Sequence, residues 1–467
     1  MYQLQSNNRC SDVNLSRLAC YGFIQLFPVS KRLTHAISTC SVAHSMSTTP
    51  GSPKKKKPEL LAPAGDLASL QAALQSGCDA VYFGVGKFNM RQRATNFGIN
   101  DINDIRRRCI DGKVATYLTL NTIVYPDERA DVQRLLDAAE KNVDAVICHD
   151  LFVVSECRKR QLPVHISTQA SVSNPDAAQM YRDMGAVRIV AARECTLSEL
   201  LAIRAESGLQ LEVFIHGAMC VSVSGRCYIS DLVCGKSGNR GECTQNCRRE
   251  YEVKDIEDGH QFLMGNHYVM SAQDLCTLPF IATLCDAGLD SFKIEGRGRN
   301  PEYVRTVVSA YRSAIDAWAD NSLSKELKDT LQTSVKNVYN RSFCSGFYFG
   351  RPIADFVTAS GNEAIFQKEF VGRVTNYYRK ARVVEVDVYD NLFDTQTPLL
   401  IIGDTTGVVQ ARASEIRQNE RSVSTATRGT VTFPLSERVR VGDKVYRQVK
   451  RKSDVFSRRY QRPDDTR

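Results

Sequence analysis

The chain has 467 residues, 43% of them hydrophobic and 24% charged. That length supports two or three domains with real cores, and that balance excludes collagen-like, coiled-coil and disordered chains. The net charge of +9 is uneven: residues 1–57 carry eight Lys/Arg against one Asp, residues 366–467 carry 20 basic against 13 acidic residues, and the stretch between is net acidic. Sixteen cysteines in so long a chain do not describe a small secreted disulfide scaffold. They suit a reducing compartment, with some thiols buried and a subset bound to metal.

Residues 1–57 read as a presequence and disordered basic linker. They are rich in Ser, Thr and Asn, poor in acids, and end in "STTPGSPKKKKP". The longest apolar run, "LACYGFIQLFPV" from Leu18 to Val29, is too short to span a membrane and contains Gln25 and Pro28. A mitochondrial address is the first expectation. A secretory signal is the second reading, weakened by Arg17. Translation from Met46 would leave a cytoplasmic protein with a short basic tail. The lysine run reads either as a nuclear signal or as solvated linker.

From Glu59 short apolar runs alternate with amphipathic helical stretches. The runs are "ELLAPAG", "AVYFGV", "ATYLTLNTIV", "AVICHD", "VHISTQA", "VRIVAAR", "LEVFIHG" and "SFKIEGR". Alternation of strand and helix implies a parallel sheet. Eight repeats predict a closed (β/α)8 barrel over 58–350, with a doubly wound open sheet as the alternative. Asn121, His149, Asp150, Gln169, Arg193, Glu194, His216, Glu295 and Arg297 collect where the strands end, the face on which barrel enzymes place their chemistry. The competing explanation is that polar residues merely begin loops. "HISTQAS" and "KIEGRGR" resist it, because there polar groups interrupt the apolar pattern at the strand tip.

The connection between the seventh and eighth strands is far longer than an ordinary strand-to-helix loop. It holds the segment 216–251, "HGAMCVSVSGRCYISDLVCGKSGNRGECTQNCRREY". Beyond Phe366 the pattern turns to alternating strands, predicting a small antiparallel β-barrel over 366–450 and a basic tail over 451–467. A basic β-barrel beside an acidic catalytic barrel suits a nucleic-acid grip; a solvated stabilising module fits the charge equally.

The cysteines of the insertion are spaced Cys220-x6-Cys227, then x15 to Cys243, then x3 to Cys247, with no Cys-x2-Cys knuckle of the kind structural zinc favours. Irregular spacing from loops suits an iron–sulfur cluster; zinc and unliganded thiols stay open. Gly225, Gly235, Gly238 and Gly241 would let the backbone fold closely round such a group. Arg226, Arg240 and Arg248 would offset thiolate charge. His216 precedes Cys220 by four residues, so a thiolate–imidazole pair for peptide hydrolysis is the rival reading. Neither a Gly-x-Ser-x-Gly elbow nor a His-Glu-x-x-His helix occurs.

"EVFIHGAMCVSVSGRCYIS" followed by "GECTQNCRREY" closely resembles the signature of the collagenase-like peptidases, peptidase family U32. "ELLAPAGDLASLQAALQSGCDAVYFG", "ISTQASVSN", "SAQDLC" and "DSFKIEGRGRNPEYVRTVVSAYRSAID" match as well. The resemblance covers about Pro58 to Val449 and is strongest to the branch that hydroxylates tRNA. It implies an iron–sulfur-dependent enzyme forming 5-hydroxyuridine at the wobble uridine, with prephenate as co-substrate and tRNA as partner; an accessory or partner subunit is left open. Other branches act on ribosomal RNA or on quinone. Carried over, Cys220, Cys227 and Cys243 are ligands of a 4Fe-4S cluster. The fourth is Cys247, with Cys276 of "DLC" as its rival; Cys234 has no counterpart. Arg193, Arg297, Lys293 and Asn121 become candidates for substrate, although Lys293 is equally suited to a structural ion pair inside the barrel. His216, Asp150, Gln169 and Glu295 become candidates to orient the base or move protons. Tyr377 and Tyr378 are candidates to stack on RNA, and only one of two adjacent strand residues can do so from a given face.

Overall fold

The computed structural model describes residues 55–251, 256–257, 270–352, 355–357 and 361–451. The expected presequence up to residue 54 and the basic tail from 452 lie outside them. The described residues fall in one compact unit.

Eight short runs of Val, Ile, Leu and Ala become parallel strands because both of their faces are covered. The strands are β1 (Glu59–Ala64), β2 (Ala80–Gly84), β3 (Ala115–Leu120), β4 (Ala145–Cys148), β5 (Val164–Ile166), β6 (Ala186–Val190), β7 (Gln210–Ala218) and, after a short intervening β8 (Asp274–Cys276), β9 (Ser291–Ile294). β1 to β7 pair in order, and β9 closes the ring by pairing parallel with both β7 and β1. The sheet is a closed barrel, and the doubly wound alternative falls. β8 stands outside the ring, antiparallel to β7, with the two-residue β10 (Phe343–Cys344) on its far side.

The helices wrap the barrel as α1 (Leu67–Gln75), α2 (Ile102–Asp111), α3 (Arg129–Ala139), α4 (Leu151–Lys159), α5 (Pro175–Asp183) and α6 (Leu197–Ser207). They continue as α7 (Ile229–Cys234), α8 (Ile281–Asp286), α9 (Pro301–Ala319) and α10 (Lys325–Lys336). Their starts are written locally. Asp66, Asp150, Asn174 and Thr196 each accept a first-turn N–H, and Thr196 with Glu199 forms a reciprocal capping box. None of the helices among the described residues is long and apolar enough to cross a membrane.

The last lysines of the expected linker are ordered. Lys57 pairs with Asp316 at 2.7 Å and Lys55 lies 4.7 Å from the centre of the Trp318 ring, so the chain enters the barrel along α9. The opposing charge and ring on α9 hold them there.

The second domain is an antiparallel sheet built from β11 (Phe366–Tyr378), β12 (Val383–Val388), β13 (Phe393–Asp394), β14 (Leu399–Gly403), β15 (Gly407–Ala411), β16 (Ile416–Gln418), β17 (Arg421–Val423), β18 (Thr425–Ala426), β19 (Gly429–Pro434) and β20 (Lys444–Lys450). The main order is β15-β14-β20-β11-β12-β19-β16-β17, with β13 and β18 paired separately. Leu399, Ile401 and Val409 at one end of that order share a core with Ile416 and Val431 at the other, so the sheet curls round its own interior. Leu400, Ile402 and Val408 face the opposite way and join the core of the first barrel. This explains the uninterrupted "PLLIIGD": both of its faces are buried. Gln75 and Arg108 fasten the β14–β15 hairpin through the Thr406 and Asp404 carbonyls, and Lys368 pairs with Glu302 at 2.8 Å.

Candidate functional site

The insertion after β7 is held by contacts that its sequence specifies. A side chain at Gly225 would collide with the Gln169 backbone, and one at Gly241 (φ +87°) with the Asn89 carbonyl. Ser224 donates its N–H and hydroxyl to Glu194 at 2.6 and 3.0 Å. Arg240 pairs with Glu128 and lies 4.7 Å from the centre of the Tyr125 ring. Arg248 donates to the Met219 and Ala272 carbonyls. Two of the three arginines expected to balance thiolates are therefore anchors. Only Arg226 lines the cavity that the loop encloses.

That cavity, of about 120 Å³, sits at the carboxyl ends of the strands. Cys220, Cys227, Cys243 and Cys247 all line it, with Gln169 and Arg193 from the barrel and Arg91 from the loop after β2. Burial raises the Cys247 thiol, Arg248 opposes the rise, and the neighbouring Cys220, Cys243 and Cys227 add to it. Cys276 lies elsewhere: buried on β8, it receives a long contact from the Tyr311 hydroxyl, and burial holds its thiol at about 11. Of the two expected fourth members, Cys247 lies with the other three at the cavity and Cys276 does not. Cys234 is exposed outside the cavity, where Asn246 and Thr244 donate to its sulfur and lower its pKa.

Among the described residues no group of three or more His, Cys, Asp or Glu is drawn together to hold a metal ion. Four cysteine thiols are the donor set that an iron–sulfur cluster takes.

Glu295 and Arg193 border this site. Burial disfavours the Glu295 carboxylate, but Arg91, Arg299 and Arg193 outweigh it and bring its pKa to about 2. Arg91 makes the direct ion pair, at 2.9 Å. Arg193 lies 4.0 Å from the centre of the Phe214 ring and donates to the Ala218 carbonyl, while its Nε has no partner. Arg193 and Cys220 also line an outer cleft of about 440 Å³, with Thr196 and Arg351 on its wall. The cysteine cavity thus opens onto a space large enough for a small molecule or a splayed nucleotide.

The structure assigns the other candidates to the scaffold. Lys293 pairs with the fully buried Glu212 at 2.7 Å, and Arg188 bridges Glu212 and Glu59 at 3.2 and 2.5 Å. This network lies in the barrel interior, where Lys293 is held as an ion-pair partner of Glu212. Arg297 donates to Asn89 and Thr119 at 3.0 and 2.9 Å, and burial lowers its pKa to about 10. Asp150 caps α4, accepting from Phe152 and Val124 at 2.9 and 3.0 Å. Asn121 supports the site from behind, accepting from the Met90 N–H and donating to Ser167. His216 is enclosed by Tyr303, Tyr311 and Phe343, with ring centres 5.3–6.0 Å away. Burial, aided by Arg299 and opposed by Glu295, takes its pKa to about 3, so it is neutral; among the described residues its ring hydrogen-bonds to the Tyr311 hydroxyl. Tyr377 turns inward and donates to the Leu435 and Ser436 carbonyls, leaving only Tyr378 exposed, its hydroxyl on Glu385. Arg91 was missed by sequence reasoning; its signal was its place in the loop beyond the β2 tip.

The profile of Peptidase family U32 matches residues 65–357. A protein named collagenase from Porphyromonas gingivalis is 37% identical over 407 residues, covering 84% of this chain and 98% of the relative. A tRNA hydroxylation protein of Bacillus subtilis is 33% identical over 336 residues, covering 70% of this chain and 80% of the relative. An Escherichia coli 23S rRNA 5-hydroxycytidine synthase is 38% identical over 260 residues, covering 56% of this chain and 39% of the relative. With seven of its eight barrel strands and its cysteine insertion inside the matched span, the chain belongs to peptidase family U32.

Proposed function

We propose that the protein is an RNA-hydroxylating enzyme that forms 5-hydroxyuridine at the wobble position of tRNA. In this reading a 4Fe-4S cluster is held by Cys220, Cys227, Cys243 and Cys247 and supplies redox-active iron at the barrel mouth. The observation that carries it is the convergence of those four thiols on one cavity. The relatives named for hydroxylation of tRNA and of ribosomal RNA supply the reaction class.

The chain's own residues have definable parts. Arg91 keeps Glu295 ionised beside the cavity. Gln169 offers a carboxamide to a base edge, and Arg193 and Arg226 offer cations to an anionic group. Replacing C5–H of uridine by C5–OH is a two-electron oxidation, so a co-substrate must take up two electrons and an oxygen atom must be supplied. Prephenate is the candidate that the family resemblance implies. The backbone of the RNA finds cations on the second barrel, where Arg438 lies close enough to Arg379 and Arg440 for the three to repel.

Peptide hydrolysis, which the collagenase relative's name would favour, needs a base for Cys220. His216 is walled off by three aromatic rings and held neutral by burial, which counts against a Cys220–His216 dyad. The reading is tested by mass spectrometry of tRNA nucleosides from cells lacking the protein. Loss of 5-hydroxyuridine, restored by the intact chain but not by Cys227→Ser, supports it. Unchanged 5-hydroxyuridine in the deletion overturns it.

A further inference from the structure

A second cavity, of about 310 Å³, lies between the two barrels, away from the cysteines. Its floor is Arg299, in the loop after β9. The guanidinium is stacked 3.6 Å from the centre of the Tyr339 ring and makes no hydrogen bond or ion pair among the described residues. Its plane lies on that ring, Tyr303 is 5.9 Å away, Glu295 is near enough to favour its charge, and the side chain lines the cavity. Five carboxamides line the cavity with it: Asn362 and Gln367 are hydrogen-bonded within the chain, whereas the side chains of Asn300, Asn337 and Gln448 are not hydrogen-bonded among the described residues. Asn300 occupies the N-cap position of α9 yet does not cap it, although an N-cap Asn ordinarily accepts a first-turn N–H. The Lys368–Glu302 pair stands at the rim, and Phe366 and Leu400 form an apolar wall.

A planar cation stacked on a ring, unused amides and an apolar wall suit one chemical class. Splayed RNA bases stack on arginine planes, and carboxamides pair with their edges. A simple carboxylate or phosphate would have no use for three amides and a stacking plane. The position fits as well. Arg299 lies four residues beyond Glu295, which pairs with Arg91 at the cysteine cavity, so both cavities open from the carboxyl end of the barrel.

We propose that the cleft between the barrels binds a nucleotide of the RNA other than the one modified, with its base stacked on Arg299 and its edge read by Asn337 and Gln448. This inference rests on the RNA-hydroxylation reading. It gives the second barrel a specific duty, because Gln448 and Lys368 complete a pocket that the first barrel only begins.

The test uses the full chain, bulk tRNA and uridine 5′-monophosphate. In an Asn337→Ala/Gln448→Ala variant, tRNA affinity should fall about tenfold and KM for tRNA should rise in proportion, with the metal content of the purified protein unchanged. Arg299→Lys keeps the charge and removes the plane, and should weaken tRNA binding to a similar degree. A measurement on the unaltered chain needs no variant: tRNA carrying 4-thiouridine should cross-link to the peptide containing Tyr339, and free uridine 5′-monophosphate should compete. Unchanged tRNA affinity in both variants, or cross-links confined to other peptides, overturns the cleft while leaving the hydroxylation reading intact. An unaltered protein that neither binds nor modifies tRNA overturns both.

Discussion

Two polar constellations lie within one barrel and behave oppositely. In the interior, Arg188 pairs with Glu59 and Glu212, Lys293 pairs with Glu212, and Tyr117 and Ser291 also donate to the Glu59 carboxylate, at 2.7 and 2.8 Å. At the carboxyl end, four thiols, Arg193 and Arg226 line a cavity; among the described residues Cys243 alone of the four thiols accepts a hydrogen bond, from Ser230, and the Arg193 Nε has no partner. Buried charge that is fully paired belongs to the fold, because each member exists to satisfy another. Polar groups left facing an open cavity have their partner outside the chain. The difference separates scaffold from site more sharply than position at a strand tip does, since Lys293 and Glu295 are two residues apart and fall on opposite sides of it.

Breaking the interior network should have the largest effect on stability. Glu212→Ala leaves Lys293 and Arg188 buried and short of a partner and should cost about 3–5 kcal/mol. The urea midpoint measures it. A loss below 1 kcal/mol would show that the network is solvated and that the contrast is false.

Acid should act next, through His216. Its folded pKa, about 3, lies below the ordinary value of about 6.5. Between those limits the unfolded chain binds the extra proton, so stability falls as pH falls, by at most about 1.4 kcal/mol per pH unit. Glu295 adds a loss in the same direction below about pH 4.3, as the medium approaches its folded pKa of about 2. Thermal melts from pH 7 to 4 should be steeper for the natural chain than for His216→Phe. Equal slopes would contradict the enclosure of the ring.

Asp150→Ala removes a helix cap and should cost about 1 kcal/mol without changing metal content. A loss of bound metal there would return Asp150 to the site. Tyr378→Ala, at an exposed position, should change stability by less than about 0.5 kcal/mol and weaken tRNA binding only if that face meets RNA.

Much of the fold was legible because burial on both faces of a parallel strand leaves continuous apolar runs, and all eight of them became barrel strands. That four cysteines line one cavity was legible because they lie within one segment and share a distinctive motif. The roles of Arg297 and Asp150 were not. An ion pair inside the barrel was legible as one reading of Lys293, but its partner Glu212, 81 residues away in the chain, was not. Asp150 looks catalytic until its carboxylate is found on the Phe152 and Val124 N–H groups. Arg91 carries no motif, and only closure of the barrel brings the β2 loop to the insertion. The inter-barrel cleft was illegible for the same reason: Arg299, Asn337 and Gln448 belong to three separate segments.

The central claim is that the four converging cysteines hold an iron–sulfur cluster. It is met most directly by iron and sulfide counted per chain, with the visible spectrum, in protein purified without air. The account predicts about four irons and a broad band in the visible region, both lost in Cys220→Ser, Cys227→Ser, Cys243→Ser and Cys247→Ser, and both kept in Cys234→Ser and Cys276→Ser. A colourless chain that gains no iron on reconstitution, or one whose iron depends on Cys276 and not on Cys247, would contradict it.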